Sequence, residues 1–327
     1  MTLLVTGGAG YIGSIVAELA CAAGHRVVVL DDLRAGNRGA IPAGCTFIEG
    51  GIGDPAALAR AFAGGPVDAV VHLAAEAAIE TSVTDPALYF RVNLADTLAL
   101  LDAMHAHGVA RLVFSSTAAT YGEPRTVPID EAHPQVPINA YGESKLMVER
   151  CLHWYHRAYG LRAVAFRYFN AAGATEARGE HRRHETHLLP LALDAAAGRR
   201  PPLNLYGTDY PTPDGTCIRD YVHVRDIATA HLRALDRLDD LGLAFFNLGS
   251  ATGYSVREVI DTVARVIGRP VPWVAAGRRP GDPAVLVASA DTARRVLDWQ
   301  PDPGGLAGIV ESAWTWRTRH PRGYDAT

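Results

Sequence analysis

The 327-residue sequence predicts an α/β fold: a parallel sheet doubly wound by helices, followed by a second, smaller α/β lobe. Three observations carry that expectation. The first half alternates apolar, β-rich runs with helical patterns, as a parallel sheet covered on both faces requires. After about residue 172 this rhythm gives way to polar and Pro/Gly-rich stretches. The chain also exceeds the length at which one hydrophobic core usually suffices.

In chain order, the expected strands of the first half are "LLVTG", "HRVVVLD", "CTFIEG", "VDAVVHLAA", "RLVFSST" and "RAVAFRYFN". Segments such as "IVAELACAAG" and "DTLALLDAMHAHG" supply the helices between them. Residues 1–172 are accordingly read as a dinucleotide-binding unit and 173–327 as a substrate lobe. "HVRDIATAHLRALDRL" and "AFFNLGS" read as a helix and strand that rejoin the first unit at about 222–250. The lobe otherwise comprises a charged loop, "TEARGEHRRHETH", the helix-like "LLPLALDAAAG", the loop "YGTDYPTPDGTCIRD" and the helical patterns "YSVREVIDTVARVIG" and "GIVESAWTWRTRH". Long loops of this kind often carry specificity.

Bulk properties exclude several classes. A net charge of -4 leaves no basic field of the sort that drives sequence-independent nucleic-acid binding. Cys21, Cys45, Cys151 and Cys217 are scattered, without C-x-x-C spacing, and read as thiols of a reducing compartment. No apolar run approaches the ~20 residues of a membrane helix, and the chain opens on a strand-like segment. The expectation is a cytoplasmic protein.

"TGGAGYIGS" lies between an expected strand and helix. Gly8, Gly10 and Gly13 fit G-x-G-x-x-G, and Gly7, Gly10 and Gly13 fit G-x-x-G-x-x-G. Without side chains such a turn can approach a pyrophosphate, whose charge meets the N-terminus of the following helix. Asp31, ending the second strand about 20 residues on, can bind both ribose hydroxyls and repel a 2'-phosphate, which favours NAD over NADP. Arg34 and Arg38 lie near enough in sequence to leave the 2' position open. Together these features make the fold Rossmann-like.

"FSSTAATYG" puts Ser115, Ser116 and Thr117 at the carboxyl end of a strand, where doubly wound sheets bind ligands. Such clusters also serve turns and caps. In "AYGESK", Tyr141 and Lys145 are four apart on a helical pattern and so share a face. A nearby ammonium favours a phenolate, so the pair can supply a general base at neutral pH. Alone, the same pair suits a solvated helix face.

Taken together, "TGGAGYIGS", "VVLDDL", "HLAA", "RVNLADTLALLDAM", "FSSTAATYGEP", "YGESK", "RYFNAAGA", "HLLPLAL", "LYGTDYPTPDGTCIRDYVHV", "NLGSATGYSVREV" and "RRPGDPAVLVASA" run over nearly the whole chain. They resemble the extended short-chain dehydrogenase/reductase superfamily, and closely its nucleotide-sugar epimerases, the UDP-glucose 4-epimerase family. The resemblance implies that Tyr141 is the catalytic base, that Lys145 binds the nicotinamide ribose and depresses the tyrosine pKa, and that Thr117 hydrogen-bonds the reacting hydroxyl. It implies an NAD site formed by Gly7, Gly10, Tyr11, Ile12, Gly13, Asp31, Asn93, Lys145 and Tyr168. For the UDP-sugar it points to Asn170, His187, Leu188, Asn204 and Tyr206, with Arg219 and Arg279 on the diphosphate and Asp282 on the uridine ribose. Planar guanidinium donors suit phosphate oxygens. Leu286 occupies the position that sets the sugar pocket's size, and its bulk opposes a 2-acetamido group. The implied reaction is NAD-dependent inversion of C4 of a UDP-hexose, UDP-glucose/UDP-galactose interconversion through a 4-keto intermediate, by a homodimer. Another UDP-sugar, or a catalytically silent NAD-binding protein on the same fold, are the alternatives.

Departures from the family pattern also matter. Gly51 stands where the family usually has an adenine-contacting aspartate, with Asp54 three positions later, and Ala77 where some members have a cofactor-contacting lysine. Glu76 and Glu80 are unusual, and carboxylates near the sugar would oppose a uronic acid. Ala118 and Ala119 lack the acids that dehydrating or decarboxylating relatives use. The trio His181, His184 and His187 lacks a matching ligand set, so no metal is expected.

Overall fold

Leu3, Leu4 and Val5 are all fully buried, which a strand achieves only when both faces of its sheet are covered. The computed structural model describes residues 1–279, 282–302 and 304–324. Its strands are β1 (Thr2–Thr6), β2 (Arg26–Asp31), β3 (Thr46–Glu49), β4 (Ala69–His72), β5 (Arg111–Ser115), β6 (Arg162–Tyr168), β7 (Asn170–Ala172), β8 (Leu203–Tyr206), β9 (Ile218–His223), β10 (Leu243–Leu248), β11 (Gly253–Ser255), β12 (Trp273–Ala276) and β13 (Val285–Leu286). A seven-stranded parallel sheet runs in the order β10-β6-β5-β4-β1-β2-β3. The order reverses between β1 and β4, so the carboxyl ends of those strands open a crevice.

Alternate residues of the strands feed opposite cores. Leu3, Val5, Val27, Val29 and Val71 face one side with Ile15 and Val16 of helix Tyr11–Ala22 and Ile227 and Leu235 of helix Val224–Leu241. Leu4, Val28, Leu30 and Val70 face the other, with Leu58 of helix Pro55–Ala63, Leu100 of helix Asp96–Ala106 and Leu152 of helix Ala140–Tyr159. Each such side chain contributes roughly 1.5–3 kcal/mol by leaving water.

The remaining strands form smaller sheets. β9 pairs with β7 and β13 in parallel and with β11 antiparallel, while β8 and β12 pair separately. A third core of Leu189, Leu193, Val259, Val263, Ile309 and Val310 joins helices Leu188–Ala196, Val256–Ile267 and Gly305–Arg319. Among the described residues, no helix is long and apolar enough to cross a membrane.

Candidate active site

Gly7 adopts φ +72°, and a Cβ there would meet the Ala74 nitrogen at 2.6 Å. The turn after β1 therefore lies directly against the chain leaving β4. A Cβ on Gly13 would fall 2.1 Å from the Gly7 carbonyl, so the following helix also seats tightly, with Gly10 as its N-cap. Beyond this bare backbone opens a cleft of ≈ 110 Å³, lined by Gly7, Gly10 and Asp31 and by Asp32, Arg34, Gly51, Ile52, Glu76 and Asp96. Asp31 accepts from Ala9 N at 3.0 Å and Leu33 N at 2.8 Å. Burial raises its pKa, and those two amides oppose the rise. The glycine cradle, the helix N-terminus behind it and a carboxylate at the end of β2 fit a dinucleotide.

Other expected cofactor residues are more committed to the protein. Tyr11 donates its hydroxyl to the Gly173 carbonyl at 2.6 Å, tying the glycine helix to the loop after β7, and Ile12 packs against the core. Asn93 is 1% exposed and lies in a π-helical segment, Phe90–Ala95. Its carboxamide accepts from Glu76 N at 2.8 Å and donates to Glu76 O and Ser144 Oγ, both at 3.0 Å. Asn93 thus pins the cleft wall to the helix that carries Tyr141 and Lys145.

That helix starts where Asn139 caps Gly142 N at 2.9 Å. A Cβ on Gly142 would sit 2.4 Å from the Ala119 carbonyl, so the helix N-terminus abuts the turn after β5. The contact brings Thr117, Tyr141, Ser115 and Tyr168 together at the ends of β5 and β6. Burial raises the Tyr141 pKa, and the adjoining Thr117 hydroxyl and the Arg182 charge lower it. Tyr168 lies against Ser115 and Tyr141, and burial drives its pKa upward too. Tyr89 packs edge-on to Tyr141, with ring centroids 6.4 Å apart.

Lys145 is held by the protein itself. The residue is 3% exposed, and its ammonium donates to the Ser115 carbonyl at 2.9 Å and lies 4.8 Å from the centre of the Phe114 ring. Burial pulls its pKa down to about 7, against the opposing charge of Glu149. The sequence reading has Lys145 depressing the tyrosine; in this site Thr117 and Arg182 act in that direction, and desolvation outweighs both.

In the second lobe, Arg219 on β9 donates to Asp282 at 2.6 Å, beside Leu286, whose residue on β13 is in register with Arg219. Leu286 packs on Tyr121, Ile129 and Phe169 with Ala118. Arg279 lies 4.1 Å from the Tyr206 ring centre and 3.6 Å from Glu80. Asn204 is exposed on β8, and Asn170 donates to the Asp220 carbonyl at 2.9 Å. Glu76 pairs with Arg34 at 3.6 Å within the dinucleotide cleft. Both unusual carboxylates therefore have arginine partners. Asp54 caps Ala56 N at 2.9 Å, so it does not stand in for a carboxylate at Gly51.

The charged loop holds groups that no periodicity singled out. Glu180, 8% exposed, accepts from Arg182 at 2.7 Å. His187 pairs with Glu185 at 2.8 Å at the start of helix Leu188–Ala196, whose first residue, Leu188, packs into the third core. Ligand atoms of Glu180, Glu185 and His187 lie within 4.8 Å of one another, so His187 groups with carboxylates rather than with His181 and His184.

The family model described as "NAD dependent epimerase/dehydratase family" matches residues 3–249. The chain belongs to that family. A UDP-glucose 4-epimerase of Streptomyces lividans is 51% identical over 325 residues, covering 98% of each chain. One from Lacticaseibacillus casei is 47% identical over 327 residues, covering 99% of each. The solved UDP-glucose 4-epimerase of Bifidobacterium longum, in complex with NAD+ and UDP, superposes with a TM-score of 0.94 at 36% identity, over 99% of this chain and 100% of that one. The family's NAD is the cofactor that the cradle and Asp31 accommodate.

Proposed function

We propose that this chain inverts C4 of a UDP-hexose, interconverting UDP-glucose and UDP-galactose. The observation that carries the reading is the convergence of Thr117, Tyr141 and Tyr168 at the ends of β5 and β6, beside the dinucleotide cleft. Its full-length similarity to curated UDP-glucose 4-epimerases supports the substrate.

Bound NAD supplies a hydride acceptor that later returns the hydride. Tyr141 takes the 4-OH proton as the C–H bond breaks and gives a proton back when the 4-keto sugar is reduced from its other face. Thr117 orients the reacting hydroxyl. Lys145 hydrogen-bonds the cofactor's ribose, exchanging its bond to the Ser115 carbonyl for that contact, while Gly7, Gly10, Tyr11, Ile12, Gly13, Asp31, Asn93 and Tyr168 complete the cofactor site. Arg219 and Arg279 hold the diphosphate, Asp282 the uridine ribose, and Asn170, His187, Leu188, Asn204 and Tyr206 the rest of the nucleotide. A firm grip there leaves the hexose free to turn over between the two transfers.

Leu286 narrows the sugar pocket against N-acetylated substrates. Ala118 and Ala119 provide no acid for elimination or decarboxylation. The division at residue 172, with 222–250 returning to the first unit, the place in galactose metabolism and a cytoplasmic homodimer belong to the same reading. For the dimer, the support is the helix carrying Tyr141, on which Trp154 is 67% and Tyr159 53% exposed.

Purified protein incubated separately with UDP-galactose, UDP-N-acetylgalactosamine and UDP-glucuronate is expected to convert the first to UDP-glucose and to release NAD on denaturation. NAD release without turnover of any of the three would leave a silent NAD-binding protein and defeat the proposal. Equal turnover of the N-acetylated sugar would defeat the assignment of Leu286.

A further inference from the structure

We propose that Asp96 supplies the carboxylate that accepts a hydrogen bond from the exocyclic amine of the cofactor's adenine. The inference rests on NAD occupying the cleft described above. Besides the glycine turn, that cleft is lined by Asp32, Arg34, Gly51, Ile52, Val92 and Asp96. Gly51 brings no side chain at all; the nearest side-chain atom to where its Cβ would lie is an Asp32 oxygen at 3.7 Å.

Three facts single out Asp96. Asp32 is engaged, its two oxygens accepting from the Arg34 backbone at 3.1 Å and the Arg34 side chain at 2.7 Å. The carboxylate of Asp96 is half-buried, lines the cleft and receives no hydrogen bond among the described residues. Burial raises its pKa, and Arg34 and Arg91 counter that rise. Gly53 is what lets Asp96 reach this position: a Cβ on Gly53 would fall 2.3 Å from a carboxylate oxygen of Asp96. The turn at 50–53 and the start of helix Asp96–Ala106 thus interlock at a carboxylate that receives no hydrogen bond among the described residues, while Glu76, which also lines the cleft, is paired with Arg34 at 3.6 Å. An adenine amine has hydrogens to donate, and a half-buried carboxylate without a partner is the acceptor that gains most from them.

Asp96 is also the first residue of its helix, where a negative charge favours the helix regardless of any ligand. The test must therefore read something a helix-end charge would not move. Nicotinamide hypoxanthine dinucleotide differs from NAD in presenting a carbonyl where adenine has its amine. Full-length chain freed of cofactor is titrated with each dinucleotide at equilibrium. The wild type is expected to prefer NAD by roughly ten- to a hundredfold, the worth of a hydrogen bond to a charged acceptor. Asp96→Ala is expected to weaken NAD binding and bring the preference below about threefold. Asp96→Asn, whose amide can turn either its oxygen or its nitrogen to the base, is expected to bind both dinucleotides with similar affinity. A preference in Asp96→Ala equal to that of the wild type overturns the proposal even if both variants are less stable. Failure of NAD to bind the wild type overturns it together with the cofactor reading on which it stands.

Discussion

Replacing Lys145 by Met should make the cofactor-free chain more stable at neutral pH while abolishing its activity. Lys145 is 3% exposed, and burial lowers its pKa from an ordinary 10.5 to about 7. The unfolded chain keeps that proton up to about pH 10.5, whereas the folded chain loses it near pH 7. Between these values the unfolded state binds more protons, so wild-type stability rises with pH. Relative to a neutral side chain, the buried ammonium costs about 5 kcal/mol at pH 6 and about 2 kcal/mol at pH 9. Met removes that cost but leaves the Ser115 carbonyl without its donor, a loss of ~1–3 kcal/mol. The net gain should be ~2–4 kcal/mol at pH 6 and close to zero at pH 9. Urea unfolding of both proteins at the two pH values measures this directly. A gain that is independent of pH, or that grows toward pH 9, would refute the view of Lys145 as a desolvated ammonium held in place for function.

Tyr141→Phe should retain NAD yet lose activity by ~10²–10⁴-fold, the usual worth of a positioned general base. Because burial raises the Tyr141 pKa, wild-type kcat should climb as pH rises from 6 to 9, and the residual activity of the variant should stay flat; a climbing profile in the variant would assign the proton to another group. Glu149→Gln weakens the partner of Arg167, a pair 2.7 Å apart with both side chains nearly inaccessible, and should cost about 3–5 kcal/mol in denaturant unfolding. Leu286→Ala should raise the kcat/KM for UDP-N-acetylglucosamine relative to UDP-glucose by roughly tenfold; an unchanged ratio would remove Leu286 from the sugar pocket.

The sheet was readable because parallel strands buried on both faces leave continuous apolar runs, and because a glycine turn followed about 20 residues on by an aspartate at a strand end suits few backbones. The roles of polar side chains were less so. Asn93 looks the same in sequence whether or not its carboxamide also bridges Glu76 and Ser144, as it does here. Arg182 sits in a loop with neither helical nor strand period, yet its charge reaches Tyr11, Tyr141 and Tyr168. Asp96 at a helix start reads as a dipole-stabilising charge, and only the cleft shows it lying against Gly53.

The stripe on the catalytic helix shows why such ambiguity is physical. Tyr141, Lys145 and Glu149 fall at i, i+4 and i+8, one line along helix Ala140–Tyr159, and a polar line of this kind suits a solvated face as well as a buried one. Burial decides: Ser144, Lys145 and Glu149 are inaccessible, whereas Arg150 and Arg157 lie in solvent. Each buried group then needs a partner. Glu149 accepts from Ser116 at 2.5 Å and from Nε and Nη2 of the Arg167 guanidinium, and Arg167 Nη1 donates in turn to the Tyr121 hydroxyl at 3.0 Å. Tyr121 donates to Asn247 at 2.7 Å, which ties β10 into the same network. Glu149 and Arg167 thus satisfy one another, while burial shifts the pKa of both Tyr141 and Lys145 at the other end of the line. A helix selected for stability alone would carry leucines along this line, so the gradient from satisfied to strained marks the end at which chemistry occurs.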